Sequence, residues 1–124
     1  MSYKMLIVDD EKDAREFLGR LLTRKGYAVK DAASGEEALE IIKKEDFDVV
    51  LLDVVLPGMS GVEVLQKIKE LKPETKIILI TGIGYDEKLI DQCMQFGCSG
   101  YVGKNIPASQ IISSINLFVE NKAE

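Results

Sequence analysis

The chain has 124 residues, of which 46% are hydrophobic and 30% are charged, and its formal net charge is −5. This length allows one domain with a single core, and no apolar run reaches the ~20 residues that a membrane-spanning helix needs. The acidic balance argues against nucleic-acid binding by this domain alone, because phosphate contact needs clustered Lys and Arg. The chain has no histidine, which excludes histidine catalysis and histidine metal ligands. The first apolar run begins too early for a signal peptide, so we expect a cytoplasmic location without a membrane partner.

Short apolar runs along the chain predict five β-strands. Residues 5–8, 49–52 and 77–80 are rich in leucine and β-branched side chains, as is typical of buried parallel strands. Residues 28–32 are more polar, which predicts an edge strand. A shorter run, Tyr101-Val102, supplies the fifth strand.

Each predicted strand is followed by a stretch in which apolar residues recur with helical spacing. Ser34-Gly35-Glu36-Glu37 and Ser60-Gly61-Val62-Glu63 have the pattern of capping boxes, which predicts the starts of the second and third helices. Gly26 and Gly97 predict the ends of the first and fourth helices, and Pro107 predicts the first turn of the fifth. The apolar residues that carry this spacing are Ala14, Phe17, Leu18, Leu21, Leu22, Ala38, Leu39, Ile41, Ile42, Val64, Leu65, Ile68, Leu71, Leu89, Ile90, Cys93, Met94, Ile111, Ile112, Ile115, Phe118 and Val119.

Five strand–helix units predict an α/β domain spanning residues 1–124. Right-handed crossovers with helices on both faces leave few topologies. We predict a single doubly wound, flavodoxin-like (βα)5 domain with a five-stranded parallel sheet of order 2-1-3-4-5. This order is chosen on chemical grounds, because it places the acids after the first and third strands side by side at the switch point, where ligands bind in such sheets.

Polar side chains with useful chemistry follow the strand ends. Asp9 and Asp10 follow the first strand, Asp53 the third and Thr81 the fourth, while Lys104 comes shortly after the fifth. Because the carboxyl ends of parallel strands share one edge of the sheet, we expect these five residues to meet in one pocket. Three carboxylates, one hydroxyl and one ammonium suit a divalent cation and a phosphoryl group.

Taken singly, most of these residues have simpler interpretations. Asp10 could be the N-cap of the first helix, Thr81 an ordinary strand residue, Lys104 a solvated loop charge and Tyr101 a core or rim residue. Asp53 fits such an interpretation poorly, because an unpaired carboxylate among packed apolar residues is costly without a cation nearby.

Together the segments resemble the receiver domain of bacterial two-component response regulators. The similarity covers essentially the whole chain, and in this order and spacing its motifs are highly specific. The segments that carry it are Ile7-Val8-Asp9-Asp10-Glu11, Asp48-Val49-Val50-Leu51-Leu52-Asp53, Leu56-Pro57-Gly58-Met59-Ser60-Gly61, Thr81-Gly82 and Tyr101-Val102-Gly103-Lys104.

The resemblance implies a phosphorylation-dependent signalling switch. Asp53 would accept a phosphoryl group from a phosphohistidine on a sensor histidine kinase, and Lys104 would pair with the phosphoryl oxygens. Mg²⁺ would be held directly by Asp10, Asp53 and the carbonyl oxygen of Val55, with Asp9 acting through water.

The resemblance also implies how the signal would leave the site. Thr81 would bond to the phosphoryl group and draw its loop inward, which would let Tyr101 change rotamer. The face of the fourth helix, fifth strand and fifth helix would then bind a downstream protein or a second phosphorylated copy. Two positions depart from the family pattern, since Asn105 replaces a proline and Gly82 a common alanine, but neither change removes a chemical group.

Two other functions compete with this one. A small phosphohydrolase of the haloacid-dehalogenase type also uses a strand-end Asp nucleophile, but it needs a second acid two residues later to protonate the leaving group. Position 55 is valine, and the chain has no length left for a cap domain. A degenerate receiver that only binds protein is disfavoured by the intact acids and lysine. We therefore expect a switch that gains and loses its own phosphoryl group and not a turnover enzyme.

Overall fold

The computed structural model describes residues 3–82, 87–104 and 106–120. Strands and helices alternate along it, as the sequence predicts. No described helix is both long and apolar enough to cross a membrane. The elements are β1 (Lys4–Val8), α1 (Lys12–Arg24), β2 (Ala28–Ala32), α2 (Gly35–Lys44), β3 (Val49–Asp53), α3 (Gly61–Leu71), β4 (Lys76–Thr81), α4 (Glu87–Gln95), β5 (Gly100–Gly103) and α5 (Ala108–Glu120).

The five strands form one parallel sheet in the order β2-β1-β3-β4-β5, which confirms the predicted topology. The chain runs from β1 outward to β2 and then returns to the other side of β1, so the strand order reverses between β1 and β3. Their register pairs Val8 with Leu52. The next residues, Asp9 and Asp53, therefore leave the sheet side by side at its carboxyl edge.

Apolar side chains pack in two layers, one on each face of the sheet. Helices α2, α3 and α4 cover one face, where Leu39, Leu65 and Ile90 are buried. Helices α1 and α5 cover the other, where Leu18 and Ile112 are buried. Strands β1 and β3 are buried on both faces, which explains their continuous apolar runs. The edge strand β2 is mostly exposed, as its polar sequence predicts.

The predicted apolar stripes are wider than the surfaces that reach the sheet. Leu71 was predicted to face inward, and Phe17 and Met94 belong to the predicted apolar stripes, but the exposed fractions of Phe17, Leu71 and Met94 are 50%, 42% and 44%. These residues lie at the margins of their stripes, next to buried neighbours such as Leu18 and Cys93. A helix touches the sheet along a narrower band than its apolar pattern covers, so its marginal positions remain in contact with solvent.

Side-chain caps begin α2 and α3 as predicted. Ser34 Oγ accepts a hydrogen bond from the Glu37 amide at 3.1 Å, and Ser60 Oγ accepts one from the Glu63 amide at 3.2 Å. The Glu37 carboxylate reaches back to the amide of Ala33 at 2.5 Å, one residue before the position that a standard capping box uses. These bonds satisfy amides that would otherwise lack partners at the helix ends.

Gly61 allows the start of α3 to approach the loop that follows Asp53. Its amide donates a hydrogen bond to the Val54 carbonyl at 3.3 Å. A Cβ at position 61 would lie 2.5 Å from the Val54 carbonyl oxygen and 2.9 Å from the Val54 Cα. A Cβ at Gly19 in α1 would meet no atom of another described segment within 4 Å.

We therefore expect Gly61→Ala and Gly19→Ala to change the free energy of unfolding in opposite directions. Gly61→Ala should lower it by about 1–3 kcal/mol, because rigid backbone must move to admit the methyl group. Gly19→Ala should raise it by about 0.5–1 kcal/mol, because alanine loses less backbone entropy in a helix. Urea unfolding monitored by circular dichroism measures both changes, and a Gly61→Ala protein as stable as wild type would contradict the close approach.

Candidate functional site

Three acidic side chains meet at the carboxyl edge of the sheet. Asp9 and Asp10 follow β1, and Asp53 is the last residue of β3. Each offers a carboxylate oxygen, and these oxygens all lie within 4.8 Å of one another. Asp9 is fully buried and Asp53 is 6% exposed, whereas Asp10 is exposed. The structure thus brings together the three acids that the sequence singled out.

Lys104 lies between the two buried acids. Its Nζ is 2.7 Å from Asp9 Oδ2 and 2.9 Å from Asp53 Oδ2. The contact with Asp53 is also a hydrogen bond, whereas Asp9 Oδ2 forms an ion pair with Lys104 and no hydrogen bond to the described residues. One ammonium from the end of β5 therefore offsets the charges of two carboxylates from β1 and β3.

Each of the two buried carboxylates is held by a turn of the same kind. Asp9 Oδ1 accepts a hydrogen bond from the Glu11 amide at 2.9 Å, and Asp53 Oδ1 accepts one from the Val55 amide at 3.1 Å. In each case an Asp side chain bonds to the backbone two residues later, as in an Asx-turn. One oxygen of each acid thus fixes the chain as it leaves its strand, and the other oxygen faces Lys104.

The pKa values of Asp53 and Lys104 are displaced by burial and by the neighbouring charges. Burial raises the pKa of Asp53, and the nearby Asp9 charge adds to the rise, while Lys104 and the Val55 amide oppose it. Burial alone would lower the pKa of Lys104, but its contacts with Asp9 and Asp53 raise that pKa above the ordinary lysine value. Displaced pKa values from burial plus a specific charge partner are typical of functional sites.

The remaining predicted residues lie on β4, on β5 and in the segment that follows β3. Thr81 ends β4 and is paired in register with Gly103, the residue before Lys104. Tyr101 lies in β5 with 47% of its surface exposed, and Val55 is 73% exposed beside Asp53. Position 105, where the sequence departs from the family pattern, lies outside the described residues.

Two further side chains contact the site, and the sequence analysis assigned neither of them a role. Arg15 Nη1 donates a hydrogen bond to the Asp9 carbonyl oxygen at 2.7 Å, while its Nε lies 3.3 Å from Asp31 Oδ2. Glu11 Oε1 lies 3.3 Å from Lys104 Nζ. Helical spacing from Glu11, whose carbonyl accepts the Arg15 amide, could have placed Arg15 near the strand ends. Glu11 is the N-cap of α1, so the alternative that Asp10 caps this helix is wrong.

Comparisons with known proteins agree with this fold. The chain matches the response regulator receiver domain family over residues 5–116. It is 32% identical over 123 residues to sporulation initiation phosphotransferase F of Bacillus subtilis, with 99% of this chain and 98% of that protein covered. It is 37% identical over 102 residues to a cyclic di-GMP phosphodiesterase of Thermotoga maritima, but this match covers 82% of this chain and 27% of that protein. Among solved structures, a CheY-like receiver domain protein from Methanospirillum hungatei has a TM-score of 0.93 at 28% identity, covering 99% of this chain and 98% of that chain.

The chain therefore belongs to the response regulator receiver domain family. It is a phosphorylation-dependent signalling switch, as the resemblance implied. The alternative of a haloacid-dehalogenase-type phosphohydrolase is not supported.

Proposed function

We propose that Asp53 is the phosphoacceptor of this switch and that a sensor histidine kinase supplies the phosphoryl group. The observation that carries the proposal is the buried Asp53 carboxylate, whose Oδ2 lies 2.9 Å from Lys104 Nζ. In the transfer, an Asp53 oxygen forms a bond to phosphorus while the bond to the donor's leaving group breaks, and the leaving group keeps the electron pair. Lys104 offers the fixed positive charge that the phosphoryl oxygens need during this step.

Mg²⁺ is the cation that this site fits best. The available donors are hard carboxylate oxygens within 4.8 Å of one another, and the buried Asp9 Oδ2 accepts no hydrogen bond from the part of the chain that the structure describes. Magnesium prefers such oxygens and keeps several bound waters. Asp10 is exposed, so water can reach an ion bound beside it. We assign Asp10, Asp53 and the Val55 carbonyl oxygen as direct ligands and Asp9 as a ligand through water. When bound, the ion supplies positive charge that offsets the carboxylates and the incoming phosphoryl oxygens.

We propose that Thr81 and Tyr101 transmit the phosphorylation of Asp53 to the protein surface. Thr81 is paired in register with Gly103, the residue before Lys104, and Tyr101 lies three residues before Lys104. The output face, defined here as α4, β5 and α5, also exposes 44% of Met94 and 61% of Leu117. Exposed apolar groups of this kind favour contact with another protein. Its partner is a downstream protein or a second phosphorylated copy.

We further propose that residues 1–124 act as one receiver unit without a catalytic turnover of their own. The family match and the described elements together run from Tyr3 to Glu120. The unit gains its phosphoryl group from a donor and later loses it to water, so each copy completes one signalling cycle per phosphorylation.

Asp53 should be phosphorylated by acetyl phosphate in the presence of Mg²⁺. Intact-mass spectrometry should show a gain of about 80 Da on wild type, and peptide mapping should place it on Asp53. Asp53→Asn keeps the shape but removes the nucleophile, so it should gain nothing. Chelation of Mg²⁺ should reduce the wild-type reaction at least about tenfold. Phosphorylation of Asp53→Asn at another aspartate would contradict the assignment.

Occupation of the site should change the output face more than the rest of the domain. Beryllofluoride imitates a phosphoryl group on a carboxylate, so with Mg²⁺ it should slow amide hydrogen exchange in residues 87–104 more than in α1. Hydrogen exchange measured by mass spectrometry tests this directly. Equal changes in both segments would argue against the output face, and Asp53→Asn provides the control that should not respond.

A further inference from the structure

Lys104 has a third carboxylate partner that does not belong to the metal-binding cluster. Glu11 Oε1 lies 3.3 Å from Lys104 Nζ, in addition to the contacts of that ammonium with Asp9 and Asp53. The acids whose oxygens converge as a candidate metal site are Asp9, Asp10 and Asp53. Glu11 is 66% exposed. Its carboxylate therefore contacts the ammonium while most of its side chain remains in solvent.

The position of Glu11 is fixed by backbone contacts, whereas its side chain makes no capping hydrogen bond to the helix it begins. Its amide donates to Asp9 Oδ1 at 2.9 Å, and its carbonyl accepts from the Arg15 amide at 3.1 Å. It is the N-cap residue of α1, yet its side chain makes no capping hydrogen bond. Ser, Thr, Asp or Asn would stabilise the helix better at this position. The described contact of the Glu11 carboxylate is the one with Lys104.

We propose that Glu11 slows phosphoryl transfer to Asp53, because its carboxylate competes with the phosphoryl group of the donor for Lys104. This inference rests on the proposed role of Asp53 as phosphoacceptor. A small donor such as acetyl phosphate brings a negatively charged phosphoryl group toward the ammonium that Glu11 already contacts. As the new bond to the Asp53 oxygen forms, acetate leaves with the electron pair of the broken bond. The transferred phosphoryl oxygens then contact Lys104, so the Glu11 carboxylate loses this contact and is solvated by water instead.

Two electrostatic effects of Glu11 act in the same direction. Its negative charge repels the donor as it enters, and its contact holds the ammonium away from the phosphoryl oxygens. For charges several ångströms apart near the surface, the repulsion amounts to about three- to tenfold in rate at low salt. Because Glu11 is exposed, dissolved ions should screen this effect strongly. Glu11 is thus a positioning residue that sets how readily the pocket accepts an anion.

The test compares Glu11→Gln with Asp13→Asn, which removes the same charge two residues further along. Asp13 is exposed in the first turn of α1 and forms no ion pair with Lys104 among the described contacts. With each protein saturated with Mg²⁺, Glu11→Gln should react with acetyl phosphate about three- to tenfold faster than wild type at ~10 mM ionic strength. Asp13→Asn should stay within about twofold of wild type. At ~1 M salt the gain of Glu11→Gln should fall below about twofold.

Beryllofluoride affinity gives a readout that does not depend on the reaction. It should be tighter for Glu11→Gln by a similar factor and unchanged for Asp13→Asn. The proposed competition for Lys104 is wrong if Glu11→Gln reacts with acetyl phosphate no faster than wild type. It is also wrong if Asp13→Asn shows the same increase in rate as Glu11→Gln. If wild type gains no phosphoryl group on Asp53, the proposed function itself fails, so the two failures are distinguishable.

Discussion

Two carboxylates buried at neighbouring strand ends can coexist because one ammonium lies between them. Asp9 and Asp53 are almost inaccessible to solvent, and like charges buried this close together repel each other. Lys104 contacts both at 2.9 Å or less. Removing one partner of a buried ion pair leaves an uncompensated charge, which is far more costly than losing a surface pair. The remaining geometry of the site depends on keeping this ammonium in place.

The sheet order determines how the ammonium reaches the acids. Strand β5 lies two strands away from β3, which corresponds to about 10 Å across the sheet. Lys104 must therefore extend across the end of β4, and a long cationic side chain is needed to span that distance. The acids in turn are aligned by the Asx-turns at Glu11 and Val55. Strand order, side-chain length and turn chemistry together produce one compact centre of opposite charges.

Much of this arrangement follows from the sequence because it depends on local pattern. Apolar runs predict the strands, Ser34 and Ser60 predict helix starts, and the acids at two strand ends predict which strands are neighbours. Thr81 was predicted from its strand-end position, yet its role in switching stays a prediction. The roles of individual residues came from the family resemblance, because the spacing of apolar residues predicts strands and helices but not chemical roles.

Other features could not be predicted because they depend on the path of the backbone between distant segments. Glu11 and Lys104 are 93 positions apart, and their contact requires both loops to leave the sheet in particular directions. The exposure of Phe17 and Met94 likewise depends on how each helix is rotated against the sheet. Patterns identify the apolar stripe of a helix, but only packing decides which of its margins are covered.

The most direct test of the central claim is the free energy of unfolding of Lys104→Met without divalent cations. Lys12→Met is the control, because Lys12 is 77% exposed and lies 3.9 Å from Glu16 in a surface pair. If Lys104 compensates two buried carboxylates, Lys104→Met should be less stable than wild type by about 3 kcal/mol. Lys12→Met should stay within about 0.5 kcal/mol of wild type. A Lys104→Met protein as stable as Lys12→Met would contradict the account.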